Sequence, residues 1–239
     1  MILPVAVFIA AISSADAVLT LLNSPAATGP KTFAAAKAKV ESDAASGMPL
    51  QQFVLGVTSD DRVLAKKYRE ASRGRIREMA EKRNNPLAWY LLSLENNDLK
   101  MLRRAADGGN VQALNALGTI ATQEAFAAKG LSTNAIERVL KRSYEMFRRA
   151  AAKRDANAMI NLGTGYLMGF GCRQDLPMAF ECFKTAAELG HPGGMDCMSA
   201  AYELGHGVRP DADKSLYWKM RARSARGDAA AAKWLRERK

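Results

Sequence analysis

Residues that carry chemistry are scarce in this chain. It has two histidines, His191 and His206, and three cysteines, Cys172, Cys182 and Cys197, in 239 residues. There is no C-x-x-C pair and no Cys–His pair at zinc-ligand spacing, so no metal site is expected. An odd number of thiols without paired spacing excludes a disulfide framework. At most one bridge, Cys182 to Cys197, would form, and only in an oxidising compartment. No H-E-x-x-H, nucleophile elbow or Walker sequence occurs. The acids Glu137, Glu145, Glu188 and Glu203 are scattered without evident partners. These absences point away from an enzyme: no catalytic residue, no cofactor and no small-molecule substrate is expected. Aromatics make up only 7% of the chain. Of those within Arg62–Arg83 and Arg138–Arg154, Tyr144 and Phe147 fit an apolar stripe with Leu140 and Ala151 and only Tyr68 is left, so sequence-specific reading of nucleic acid is not expected. Few segments alternate with period two, whereas alanine is plentiful, and that combination predicts an all-α protein.

Basic residues are missing from the start of the chain, where the first is Lys31. That excludes an arginine-rich transit peptide. An apolar run from Ile2 to Ile12 leads instead into Ala15-Asp16-Ala17. Residues 1–30 are expected to form an N-terminal apolar segment: a signal peptide, an anchor or a docked helix. The first two readings place the protein outside the cytoplasm or at a membrane. The third leaves it cytoplasmic or organellar.

A repeat is present. Gly47, Asn84, Gly109, Arg154, Gly190 and Gly227 are each followed at four and eight residues by Gln51/Leu55, Ala88/Leu92, Ala113/Leu117, Ala158/Leu162, Gly194/Met198 and Ala231/Leu235. The six starts lie 37, 25, 45, 36 and 37 residues apart. Positions four apart share a helical face, so each unit begins with a helix, A, that carries a narrow seam. Alanine pairs at 105–106, 150–151 and 186–187 precede three of the starts and mark the end of a second helix, B. The nine residues Gly163 to Gly171 hold four glycines and resemble a phosphate cradle at first sight. Yet Gly169, Gly171 and Asp175 return as Gly205, Gly207 and Asp211, and no Lys-Ser/Thr follows them. The G-x-G pair is therefore expected to end helix A, with Asp175 and Asp211 capping helix B.

These residues, A-x-x-x-L-G-x-x-Y-x-x-G-x-G-x-x-x-D from Ala158 to Asp175 above all, resemble the Sel1-like repeat, a branch of the tetratricopeptide-like helical repeats. The likeness is clearest within 98–239, weak over 31–97 and absent before that. It implies an α-solenoid spanning 31–239, with about five antiparallel helix pairs in a right-handed superhelix. It also implies a scaffold or adaptor that binds protein partners through a concave face of A helices. It carries no catalytic residues with it.

The net charge of +11 favours acidic partners. The excess is concentrated in Arg62–Arg83, Arg138–Arg154 and Lys219–Lys239, each net +6. The first two are B helices, and the short B helix between them adds Lys100, Arg103 and Arg104. The alternative reading follows from this: an architectural subunit whose basic B face, including Arg103, Arg104, Arg148 and Arg149, contacts RNA or anionic lipid. The competing reading is a solvated face. Trp89 and Tyr90 are weighed as a contact hot spot against burial in the seam. The interval of 45 residues places an insertion at Gln123–Asn134, expected to be a loop that either binds or is merely tolerated.

Overall fold

In the computed structural model, residues 30–58, 61–127, 130 and 132–238 are described. Every regular element among them is an α-helix. The segment expected at 1–30 lies outside them but for Pro30. The chain divides into two compact units at Gly108 and Gly109. The first contains α1 (Pro30–Ala45), α2 (Pro49–Thr58), α3 (Arg62–Arg83), α4 (Pro86–Asn96) and α5 (Leu99–Asp107). The second contains α6 (Val111–Ala127), α7 (Thr133–Ala151), α8 (Ala156–Met168), α9 (Leu176–Glu188), α10 (Pro192–Leu204), α11 (Ala212–Ala225) and α12 (Ala229–Arg236). The A/B pairs are α2/α3, α4/α5, α6/α7, α8/α9 and α10/α11. Each A helix packs most extensively on its own B helix, and in the second unit α7 and α9 pack on the A helices that follow them. This is an all-α helical repeat of the solenoid class.

The repeat register is set by the backbone. All six starts have positive φ, from 46° at Asn84 to 97° at Gly227. A left-handed residue after a helix lets the next amide reach a carbonyl in the last turn. His191 N–H bonds Ala186 O in this way, and Asp228 N–H bonds Arg223 O, both at 3.1 Å. The residue after the start then caps the new helix. Asn85, Asn110, Asp155 and Asp228 accept from the amides of Ala88, Ala113, Ala158 and Ala231. Arg154 alone among the starts is neither Gly nor Asn, and its φ of 60° carries a Cβ penalty. Arg154→Gly is expected to stabilise the protein by up to about 1 kcal/mol, the relieved strain outweighing the added chain entropy. Urea unfolding measures this, and a lower midpoint would show that the arginine side chain supplies more than its backbone costs.

The seam positions are buried at every start: Gln51, Leu55, Ala88, Leu92, Ala113, Leu117, Ala158, Leu162, Gly194, Met198 and Ala231, with Leu235 half-buried. The alanine pairs are buried as well, and α10 starts against the pair at 186–187. A methyl on Gly194 would stand 2.7 Å from both Ala186 Cβ and Ala187 N. Gly163 and Gly165 lie inside α8, so the glycine-rich stretch is mostly helix. Only Gly169 and Gly171 turn the chain, and Asp175 and Asp211 cap α9 and α11 through the amides of Met178 and Lys214.

One expectation is corrected. Gln123–Asn134 is not a long loop: α6 continues to Ala127 and α7 begins at Thr133. The long interval is taken up by helices of 17 and 19 residues, against 13 each in α8 and α9. The run Gln123-Glu124-Ala125-Phe126-Ala127 is made of good helix formers, and the nearest breaker is Gly130. A bridge between Cys182 and Cys197 is not formed, as all three cysteines are free thiols. Burial pushes the Cys182 and Cys197 thiols up to about 11. Cys197 packs against the core of Phe183, Met195 and Met198, where a thiol behaves as a small apolar group.

Candidate partner-binding surfaces

In the first unit Trp89 and Tyr90 are core residues, 6% and 8% exposed. Trp89 Nε1–H donates to Asn84 Oδ1 at 3.1 Å, which ties the ring to the turn that starts the repeat. Burial raises the Tyr90 hydroxyl pKa. The exposed Arg104 guanidinium lies 4.7 Å from the Trp89 ring centre, covering it from α5. Arg103, its neighbour on α5, is exposed and has no carboxylate partner among the described residues. In the second unit Arg148 and Arg149 are both exposed on α7. Arg148 is held by Glu145 through two bonds, Nε to Oε2 at 2.9 Å and an Nη to Oε1 at 2.6 Å. That pairing lowers the Glu145 pKa and raises that of Arg148. Arg103 thus presents a bare charge, whereas Arg104 also packs and Arg148 is neutralised in place.

A site that the sequence did not single out lies on the A-helix side of the second unit. A cavity of about 150 Å³ is lined by residues of α6, α7 and α8 and by Phe170. Its floor is Leu140, Tyr144 and Phe147 of α7 together with Phe170. Thr119 and Gln123 of α6 and Thr164 of α8 line it and are exposed, so they form its mouth. On one wall the Gly118 carbonyl accepts from both Thr122 Oγ1, at 2.9 Å, and Ser143 Oγ, at 2.7 Å. On the other, Tyr144 OH and Tyr166 OH are 2.9 Å apart. Burial and this bond raise the Tyr144 pKa, so the phenol is neutral. Phe170, at the tip of the α8–α9 turn, meets Phe126 with ring centres 5.0 Å apart. The lining contains no charged side chain.

Side chains also tie successive A helices of this unit. Asn115 Nδ2 of α6 donates to Asp155 Oδ1, the cap of α8, at 2.6 Å, while Arg226 at the end of the B helix α11 pairs with Asp196 of α10. His191 caps α10: its Nδ1 accepts from the amides of Gly193, at 3.0 Å, and Gly194, at 3.4 Å. Nδ1 is therefore bare, which puts the ring proton on Nε2, where it donates to Asn157 Oδ1 at 3.1 Å. Burial lowers the His191 pKa; Asp155 and Asp196 oppose this, and Arg226 adds to it. A second proton would face two helix N–H groups. Because the folded pKa lies below the unfolded one of about 6.5, the contribution is complete above that pH and is lost as pH falls through the folded value. The urea midpoint is expected to fall between pH 7 and pH 5 in the wild type and to fall less in His191→Asn, which keeps a capping side chain that does not titrate. Equal slopes would remove His191 from the account. Carboxylates held by partners, Asp211 and Asp228 among them, titrate below this window.

Among the described residues no three of His, Cys, Asp and Glu come together as a metal cluster. No described helix is long and apolar enough to cross a membrane. The Sel1 repeat matches three times, at residues 111–155, 156–191 and 197–218. Two of these boundaries fall at the Arg154 and Gly190 turns. Among solved structures, a Sel1 repeat protein from Oxalobacter formigenes is 30% identical, over 53% of this chain and 90% of that one, with a TM-score of 0.45. The protective antigen c5321, present in uropathogenic Escherichia coli strains and displaying an SLR fold, is 20% identical over 92% of this chain, with a TM-score of 0.53. This chain spans 48% of the length of c5321. No curated protein matches.

Proposed function

The chain belongs to the Sel1 repeat family, whose members are protein–protein interaction scaffolds, and we propose that it is a non-catalytic adaptor that binds partner proteins through its A-helix side. The observation that carries this reading is the cavity opening between α6 and α8, whose mouth is formed by exposed, uncharged side chains of two successive A helices. Interfaces are built around depleted charge and well-shaped pockets. The B helices are the opposite in character. On α7, Lys141 and Arg142 are exposed and have no carboxylate partner among the described residues. That observation favours the second reading, an architectural contact of basic B helices with RNA or anionic lipid.

Affinity purification with mass spectrometry separates the two readings when run on matched variants. Gln123→Arg with Thr164→Arg places charge at the cavity mouth. Charge reversal of Arg103, Arg104, Arg148 and Arg149 alters the B helices. The adaptor reading expects the first variant to lose partners that persist at high salt, and the second to keep them. Loss only in the second, with release as salt rises, would overturn the adaptor reading and support the basic contact.

A further inference from the structure

Gly165 is a glycine that its surroundings do not demand. Gly118 and Gly163, inside the A helices of the second unit, are by contrast crowded. A methyl on Gly118 would stand 2.6 Å from Phe147, and one on Gly163 would stand 2.6 Å from Phe183. At Gly165 a methyl would meet only Phe170 O at 3.5 Å and Tyr144 Cδ2 at 3.7 Å, which are ordinary contacts. The backbone there is not in the left-handed region. The position 36 residues on is Ala201, fully accommodated in α10 at 1% exposure. Glycine weakens a helix interior relative to alanine. A helix-weakening residue thus stands where alanine would fit, and the space it leaves is part of the cavity wall.

We propose that this cavity is a pocket for one aromatic side chain of a partner protein, entering between α6 and α8; the proposal rests on the adaptor reading above. Three observations define the occupant. The volume, about 150 Å³, is that of a site which holds a single benzene-sized ring. The lining is uncharged, so a buried ammonium or carboxylate would have no counter-ion and would be penalised. The floor supplies apolar and aromatic surface from Leu140, Phe147 and Phe170. Around it, the amides of Gln123 and Asn161 make no side-chain hydrogen bond to another described residue and are left to pair with the peptide backbone that carries the ring. Thirty-six residues on, Phe180 and Tyr202 meet edge-on at 5.6 Å much as Tyr144 and Tyr166 do at 5.7 Å, so the two repeats differ here in Ala201 against Gly165.

The test is a titration of the whole chain, followed through backbone amide NMR signals, with p-cresol, N-acetyl-tyrosinamide and p-toluate as probes. The two neutral rings are expected to shift the Gly165, Phe170 and Thr122 amides saturably, and p-toluate is not. Gly165→Ala should weaken p-cresol binding roughly tenfold, and Gly165→Leu should abolish it. Should the leucine variant fail to fold, the alanine variant decides alone. The proposal is overturned by no saturable shift in the wild type, by equal binding of p-toluate, or by unchanged affinity in Gly165→Ala. It is also overturned if p-cresol binds but N-acetyl-tyrosinamide does not, which would make this a small-molecule site. If a partner is lost on mutation of Gln123 and Thr164 yet retained by Gly165→Leu, the pocket falls and the adaptor reading stands. If rings bind as expected but no partner depends on α6 and α8, the adaptor reading falls and takes the assignment to a partner protein with it.

Discussion

Gly207→Ala is expected to cost about 3–5 kcal/mol of unfolding free energy, and Gly171→Ala about the same. Two effects add. Both glycines have positive φ, 75° and 72°, which an alanine tolerates poorly. Both also lie directly against backbone of the preceding repeat. A methyl on Gly207 would press into the Leu176 carbonyl, 2.6 Å from its carbon and 2.9 Å from Pro177 N. One on Gly171 would do the same at Leu140, 2.5 Å from its carbonyl carbon and 2.7 Å from Lys141 N. Backbone in a helix cannot step aside as the end of a side chain can, so the turn itself would have to move. Gly190→Ala is the control: its φ is 85° but nothing lies within 4 Å of a methyl there, so it should lose only about 1–2 kcal/mol. Urea unfolding followed by circular dichroism measures all three. If Gly207→Ala is no worse than Gly190→Ala, the second glycine of each G-x-G serves the turn alone and not the junction between repeats.

The next largest effect belongs to Phe183. Its ring is 3% exposed and packs in the core with Met195, Met198 and Ala222. Phe183→Ala should cost about 3–5 kcal/mol. Gly163→Ala should cost roughly 1–3 kcal/mol, because its new methyl would meet that ring at 2.6 Å. Made together they should cost less than the sum by more than about 1 kcal/mol, since the methyl enters space the ring has vacated. Strict additivity would show that the helix α8 glycine is not there to admit the ring. Gly118 and Phe147 repeat the arrangement one unit earlier. One unit later, where the position of Gly163 is taken by Ser199, the contact becomes a hydroxyl pair, Ser199 to Ser215 at 3.1 Å.

Much of the architecture could be read from the residues. The six starts, their seam residues and the Asp175 and Asp211 caps are local chemistry: one residue turns left-handed, the next caps a helix, and small residues recur on the same face. The conformation of Gln123–Asn134 was not legible in the repeat spacing, because an irregular interval says how many residues are added and not how they fold. The helix propensity of its own residues held the better signal.

Sequence by itself determined the periodic part of this protein, namely helix pairs in a fixed register with glycine turns between them, because those features depend on neighbours within a few residues along the chain. Only the tertiary structure decided which carbonyl crowds Gly207, that Trp89 is covered by Arg104, and that Gly165 leaves open a ring-sized pocket instead of closing it. Those outcomes depend on distances between side chains brought together from separate helices. A glycine that is compressed and a glycine that leaves a space are the same letter until the facing surface is in place.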